Sequence, residues 1–126
     1  MQRDLDLVRD LLLTLEEQCP NNIFSSKALP EMSEVAPATV LAHFTLLYGA
    51  GYIERARGVY LDSPLKDKYS ISYQGYDFLD SVRDPALWAK TKEAASSAGG
   101  FTLSLIGAIA EGLIKTKLKQ HAGIEI

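Results

Sequence analysis

A chain of 126 residues with 47% apolar and 23% charged side chains can bury its own core without staples, and this composition excludes a largely disordered chain. The formal net charge of −3 argues against an all-over basic coat for nucleic acid. One cysteine, Cys19, excludes an internal disulfide and suits a reducing cytoplasm, where it reads as a small helix-end residue. The charge is uneven along the chain. Residues 1–36 hold three basic and seven acidic side chains, residues 37–84 five and six, and residues 85–126 five and three, so the small basic surplus lies at the C-terminal end.

The opening "MQRDLDLVRD" alternates charge with leucine and has no uncharged apolar core of signal-peptide length. Leu5, Val8, Leu12 and Leu15 recur at helical spacing, widened by Leu7 and Leu11, and predict a helix over 4–18 with Asp4 and Asp6 in its first turn. Pro20, Asn21 and Asn22 stop it. "NIFSS" is a short extended segment, and "LPEMSEV" fits a brief second helix with Pro30 near its first turn. Pro37 opens a third helix, whose buried stripe is Val40, Phe44 and Leu47, joined by Leu41 and Tyr48. Gly51 is its left-handed stop.

"YIERARG" and "KYSIS" carry the alternation and β-formers of two strands, with Gly58 and the "DSP" at 62–64 marking the loop between them. Ser72 caps a helix containing Tyr76, Phe78, Leu79 and Val82. Asp84 followed by Pro85 starts another, with Leu87 and Trp88, which ends at "AGG". A final helix covers about 102–119; its apolar run "FTLSLIGAIAEGLI" contains Glu111 and falls short of the ~20 residues that span a bilayer. These elements predict a mostly α fold with a small β-wing, an α+β class.

The stretch "VAPATVLAHFTLLYGAGYIE", residues 35–54, resembles the helix-turn-helix and strand junction of bacterial winged-helix regulators, through Val35, Pro37, Thr39, Val40, His43, Leu47, Gly51, Tyr52 and Ile53. "YSISYQGYDFL" resembles their second wing strand running into the next helix. That likeness implies a winged helix-turn-helix domain over 1–83 and a helical extension over 84–126, which packs or dimerises, the whole forming one compact unit. A longer likeness lies in "GYDFLDSVRDPALWAKTKE" followed by "AGGFTLSLI", and in the opening "RDLDLVRDLLLTLEE". These are similar to a bacterial and phage family known only as a domain of unknown function. It implies a small winged-helix protein and brings no activity or catalytic residues.

In such a scaffold the third helix enters the major groove, which puts Thr39, His43 and Thr45 against bases or phosphates. Arg55, Arg57, Lys66 and Lys68 bracket the wing loop and would hold the DNA backbone. Ala42 stands where many relatives of the fold carry arginine. Asp80 and Arg83 are spaced for an ion pair, Asp84 for a cap, and Trp88 for core packing. In the last helix Leu105, Ile106, Ile109, Leu113 and Ile114 form a broad apolar face suited to a homodimer.

No enzyme, metal or cofactor motif is present in the sequence. The residues therefore point to a DNA-binding winged-helix regulator of bacterial or phage origin, cytoplasmic and dimeric, with double-stranded DNA as its partner. The alternative is a protein-interaction module on the same scaffold, a phage or host adaptor without DNA binding. The feature that separates the two is surface potential: a neutral or negative face presented by the third helix and the wing together removes the physical basis for DNA binding.

Overall fold

The computed structural model describes residues 2–56, 67–97 and 102–122. It shows a mostly helical α+β chain in two compact units, Met1–Leu79 and Asp80–Ile126. The first unit begins with α1, Leu5–Gln18. The Asp4 carboxylate caps it by accepting the Leu7 amide at 3.1 Å, one of the donors a helix start leaves unpaired. Leu7, Val8, Leu11, Leu12 and Leu15 are buried along one face. Each fully buried leucine stabilises the fold by roughly 1.5–3 kcal/mol.

After the helix, Asn22 takes a left-handed φ of 56° and turns its side chain onto strand β3. Its Nδ2 donates to the Ile71 carbonyl at 3.0 Å, and its Oδ1 accepts the Ile71 amide at 2.9 Å. β1, Phe24–Ser25, follows. The brief helix expected over 29–35 is absent. A turn stands there instead, with Glu34 at a φ of 61° and the Val35 amide bonded to the Met32 carbonyl at 3.1 Å. The six residues between Pro30 and Pro37 offer too few backbone bonds to offset helix nucleation.

α2, Pro37–Gly49, packs against α1. It ends as predicted at Gly51, whose φ of 83° lets its amide reach the Tyr48 carbonyl while the Tyr52 amide reaches Leu47. This paired closure satisfies carbonyls that the helix end would otherwise leave open. β2, Ile53–Arg55, and β3, Lys68–Ile71, complete an antiparallel sheet in the order β1-β3-β2. Phe24 and Arg55 both stand opposite Tyr69, and Ile53 opposite Ile71. Edge-to-face contacts run from Phe24 to Phe44, from Phe44 to Tyr69, and from Tyr69 to Tyr48, so the aromatic chain ties α2 to the sheet.

α3, Tyr73–Val82, is capped by Ser72, whose Oγ accepts the Gly75 amide at 3.0 Å and donates to the Gly51 carbonyl. One hydroxyl thus joins the end of α2 to the start of α3. Gly75 is required by this closeness: a Cβ there would lie 2.1 Å from the Tyr52 carbonyl oxygen and 2.8 Å from Ile71 Cγ2.

In the second unit, α4, Pro85–Ser97, starts at Asp84, whose Oδ1 accepts the Ala86 and Leu87 amides at 2.8 and 3.1 Å. Trp88, Thr91 and Ala95 are its buried positions, at helical spacing. The Thr91 hydroxyl is buried without penalty because it donates to the Leu87 carbonyl at 2.7 Å. α5, Leu103–Ala122, packs against α4 and buries Leu103, Ile106 and Ala110.

Replacing Gly75 with alanine should lower stability by about 1–3 kcal/mol, because backbone must move to admit the methyl group. Gly112→Ala, in α5 with nothing within 4 Å of the added carbon, should instead raise it by about 0.5–1 kcal/mol. Urea denaturation midpoints of the two variants check the pair, and equal shifts would contradict the close approach at Tyr52.

Candidate interaction face

The sequence "PATVLAHFTLLYG" of α2 contains no charged side chain. Val40, His43, Phe44 and Leu47 are its buried residues, so the helix is phased with His43 facing inward. His43 is fully buried. Its Nε2 accepts the Asp4 backbone N–H at 3.0 Å, which leaves the hydrogen on Nδ1, where it is donated to the Thr39 carbonyl at 2.8 Å. The expectation that His43 reaches a groove is therefore overturned: the imidazole is a core bond between the start of α1 and the first turn of α2. Thr39, half-buried, contributes its carbonyl to that bond.

The phase that turns His43 inward turns Ala38, Leu41, Thr45 and Tyr48 outward. These four lie three or four residues apart and form one stripe on the helix surface. Leu41 is 48% exposed and Tyr48 42%, against the expectation that both join the buried stripe. Thr45 is exposed as expected, and its Oγ1 donates to the Leu41 carbonyl at 2.9 Å. At the N-terminal end of the stripe a groove of about 260 Å³ opens beside Leu41, floored by Leu29, Pro30, Pro37 and Val40 and rimmed by Lys27 and Glu31.

At the other end stands Arg55. Its guanidinium lies 5.7 Å from the centre of the Tyr69 ring, and the Tyr48 ring meets Tyr69 edge-on at 5.5 Å. Arg55 and Tyr69 share the sheet face that packs on α2, whereas Lys68, one residue from Tyr69, alternates to the opposite face. Of the four wing cations expected to act together, the two described ones stand on different faces of the sheet. Arg55 belongs to the α2 side, Lys68 does not, and Arg57 and Lys66 lie outside the described residues.

Beside Lys68, Asp67 anchors the hairpin base to β1. Its Oδ2 accepts the Ser25 hydroxyl at 2.6 Å, and its backbone carbonyl accepts the Ser26 amide at 3.0 Å. The Ser25 bond, with Lys68 and Lys27 nearby, holds the Asp67 carboxyl below its ordinary range. Sequence reading missed Tyr48 and Tyr69 as surface-forming residues. The signal available was the period 38, 41, 45, 48, which carries no charge.

In the second unit Arg83 and Asp80 form the expected ion pair at 2.8 Å, exposed to solvent, and Trp88 is buried with Lys92 5.7 Å from its ring centre. Of the residues expected to pair two copies, Leu105 is 40% exposed, and Ile109, Leu113 and Ile114 are half-buried. Ile106 is fully buried and is not on such a face, because it lies on the same stripe as Leu103 and Ala110. Leu118, 42% exposed, extends the outward side. No described helix is long and apolar enough to cross a membrane.

An uncharged helix face is thus bordered by an apolar groove and an arginine–tyrosine pair, on a small α+β scaffold. The chain belongs to the family described as hypothetical protein (DUF2513), whose family model matches residues 2–101, which is the whole first unit together with α4. It is similar to an uncharacterized protein of Haemophilus influenzae, with 30% identity over 120 residues that make up 94% of this chain and 99% of the relative. No solved structure matches the chain.

His43→Leu keeps the volume but leaves the Asp4 amide and the Thr39 carbonyl without their partner, so stability should fall by about 1–3 kcal/mol. Amide hydrogen exchange should quicken first at the start of α1, and uniform quickening would contradict a local bond. The carboxylate of Asp67 contributes its stability above the ordinary aspartate range near pH 4 and loses it as pH falls through the lower folded-state value. The advantage of the native chain over Asp67→Asn should therefore be constant from about pH 5 upward and vanish on stronger acidification. Denaturant midpoints against pH measure it.

Proposed function

We propose that the protein is an interaction module on a winged-helix scaffold, and that the outer face of α2 is its working surface toward a protein partner. The order helix, strand, helix, hairpin with the sheet arranged β1-β3-β2 supports the winged-helix reading of the scaffold. The turn at Ser33–Glu34 stands where the first helix of a helix-turn-helix pair would be. The observation that carries the function is the exposed stripe of Ala38, Leu41, Thr45 and Tyr48, without one charge on the helix that bears it. Duplex DNA is bound chiefly through neutralised phosphates, and affinity scales with the number of cations supplied. Aromatic residues and arginine with few charges are instead the signature of protein interface cores.

A second reading, duplex DNA binding, is favoured by one specific feature. Arg55 and Thr45 share the α2 side of the sheet, with Arg57 two residues beyond Arg55 in sequence. Self-association through α5 fits either reading and would use Leu105, Ile109, Leu113, Ile114 and Leu118. The lone cysteine suits a reducing, cytoplasmic setting for both.

Placing a photo-crosslinking phenylalanine analogue at Thr45 and irradiating the native host should give protein adducts of discrete mass. The same analogue at Glu111, on α5, should not give those adducts. Adducts at position 45 that collapse on nuclease treatment would establish the DNA reading in place of the protein one.

A further inference from the structure

The corner held by His43 depends on the protonation state of one ring. Asp4, the N-cap of α1, uses its amide, carboxylate and carbonyl together there. Its backbone N–H is donated to His43 Nε2 at 3.0 Å, its Oδ1 accepts the Leu7 amide at 3.1 Å, and its carbonyl accepts the Val8 amide at 3.0 Å. The imidazole therefore orients the residue from which the Leu7 and Val8 amides hang. That bond needs a lone pair on Nε2, and only the neutral ring supplies one. Nδ1 already carries a hydrogen, donated to the Thr39 carbonyl at 2.8 Å. A proton taken from solvent thus goes to Nε2, where N–H would face N–H.

The charged groups around α2 are engaged elsewhere. Among the described residues the ring bonds to Asp4 and Thr39 and forms no ion pair. α1 buries only leucine and valine; Asp6 is exposed, Arg9 pairs with Asp10, and Glu16 and Glu17 lie in the last turn. Arg3, beside Asp4 in sequence, is exposed. On β2 Glu54 is exposed and Arg55 lies over Tyr69, whose ring also meets Tyr48. Lys68 is on the other face of β3, and Lys27 and Glu31 rim the groove at Leu41. The Asp4 carboxylate is the charged group at this corner, and it holds the Leu7 amide.

We propose that His43 is a pH switch on the start of α1. The protonated ring keeps its bond to Thr39 and releases the Asp4 amide, and the first turn of α1 opens. Histidine is the side chain whose ordinary titration lies nearest neutral pH, so acidification from about pH 7.5 to 5 is the stimulus. The switch does not depend on what the outer face of α2 contacts.

A pH titration of the isotope-labelled full-length protein by NMR tests it. The His43 ring, identified by its through-space contacts to Thr39, should pass from the tautomer with hydrogen on Nδ1 to the doubly protonated form. The amide signals of Asp4, Leu7 and Val8 should move with the same midpoint. Hydrogen exchange at Leu7 and Val8 should quicken about two- to tenfold below that midpoint, relative to His43→Gln at the same pH. Glutamine supplies an acceptor and a donor without titrating, and the wild-type titration decides alone if that variant does not fold. Asp4→Asn keeps a capping oxygen and removes the carboxylate, so the shared midpoint should survive in it. Loss of the amide movement in Asp4→Asn would assign it to the carboxylate and overturn the switch. A ring that takes its proton while these amides stay unmoved would overturn it as well, as would a ring that stays neutral until the whole chain unfolds.

Discussion

The bond pair on His43 sets the rotation of α2, and the surface follows from that rotation. A buried imidazole must have both nitrogens engaged, and here one accepts from the Asp4 amide and the other donates to Thr39. The first contact reaches across 39 residues to the N-cap of α1; the second stays within the same helix. Together they fix a ring that would otherwise carry polar atoms into the leucine core of α1. Once His43 is inside with Val40, Phe44 and Leu47, geometry leaves Leu41 and Tyr48 nowhere but the surface. An apolar face is therefore exposed because a polar residue is buried.

That exchange also explains what could and could not be read from the sequence. The caps were legible, since Ser72, Asp84 and Gly51 each combine a residue type with a position that admits one role. So were α1, the hairpin strands and the burial of Trp88, where period and composition agree. At His43 polarity and spacing disagree: positions 40, 43, 44 and 47 form one regular stripe, and only the chemical type argues for placing 43 elsewhere. The turn at 33–34 was hidden for another reason. Glu34 is an uncommon residue for a left-handed φ, and no local signal announces it.

The sheet imposes a similar division on the cations. Arg55 faces α2 through Tyr69, while Lys68 follows the pleat to the far side and joins the Asp67–Ser25 anchor. Their proximity in the hairpin suggested a common task, yet a one-residue step in a strand changes the face. Strand alternation in "KYSIS" carried this information; pairing partners across the hairpin were needed to use it. The result is a surface with Arg55 at one end of an uncharged helix and Lys27 beside Glu31 at the other, a different object from a basic clamp.

Asn22 has a consequence for how this fold can be approached. β1 is only two residues long, so its ladder with β3 stops at Phe24. Beyond it the Asn22 carboxamide takes the place of a third strand residue, filling both the donor and the acceptor of Ile71. A side chain thereby seals the stretch of β3 that a short neighbour leaves uncovered. The inner strand is closed there to any guest backbone that would pair with Ile71 in the gap that so short a neighbour leaves.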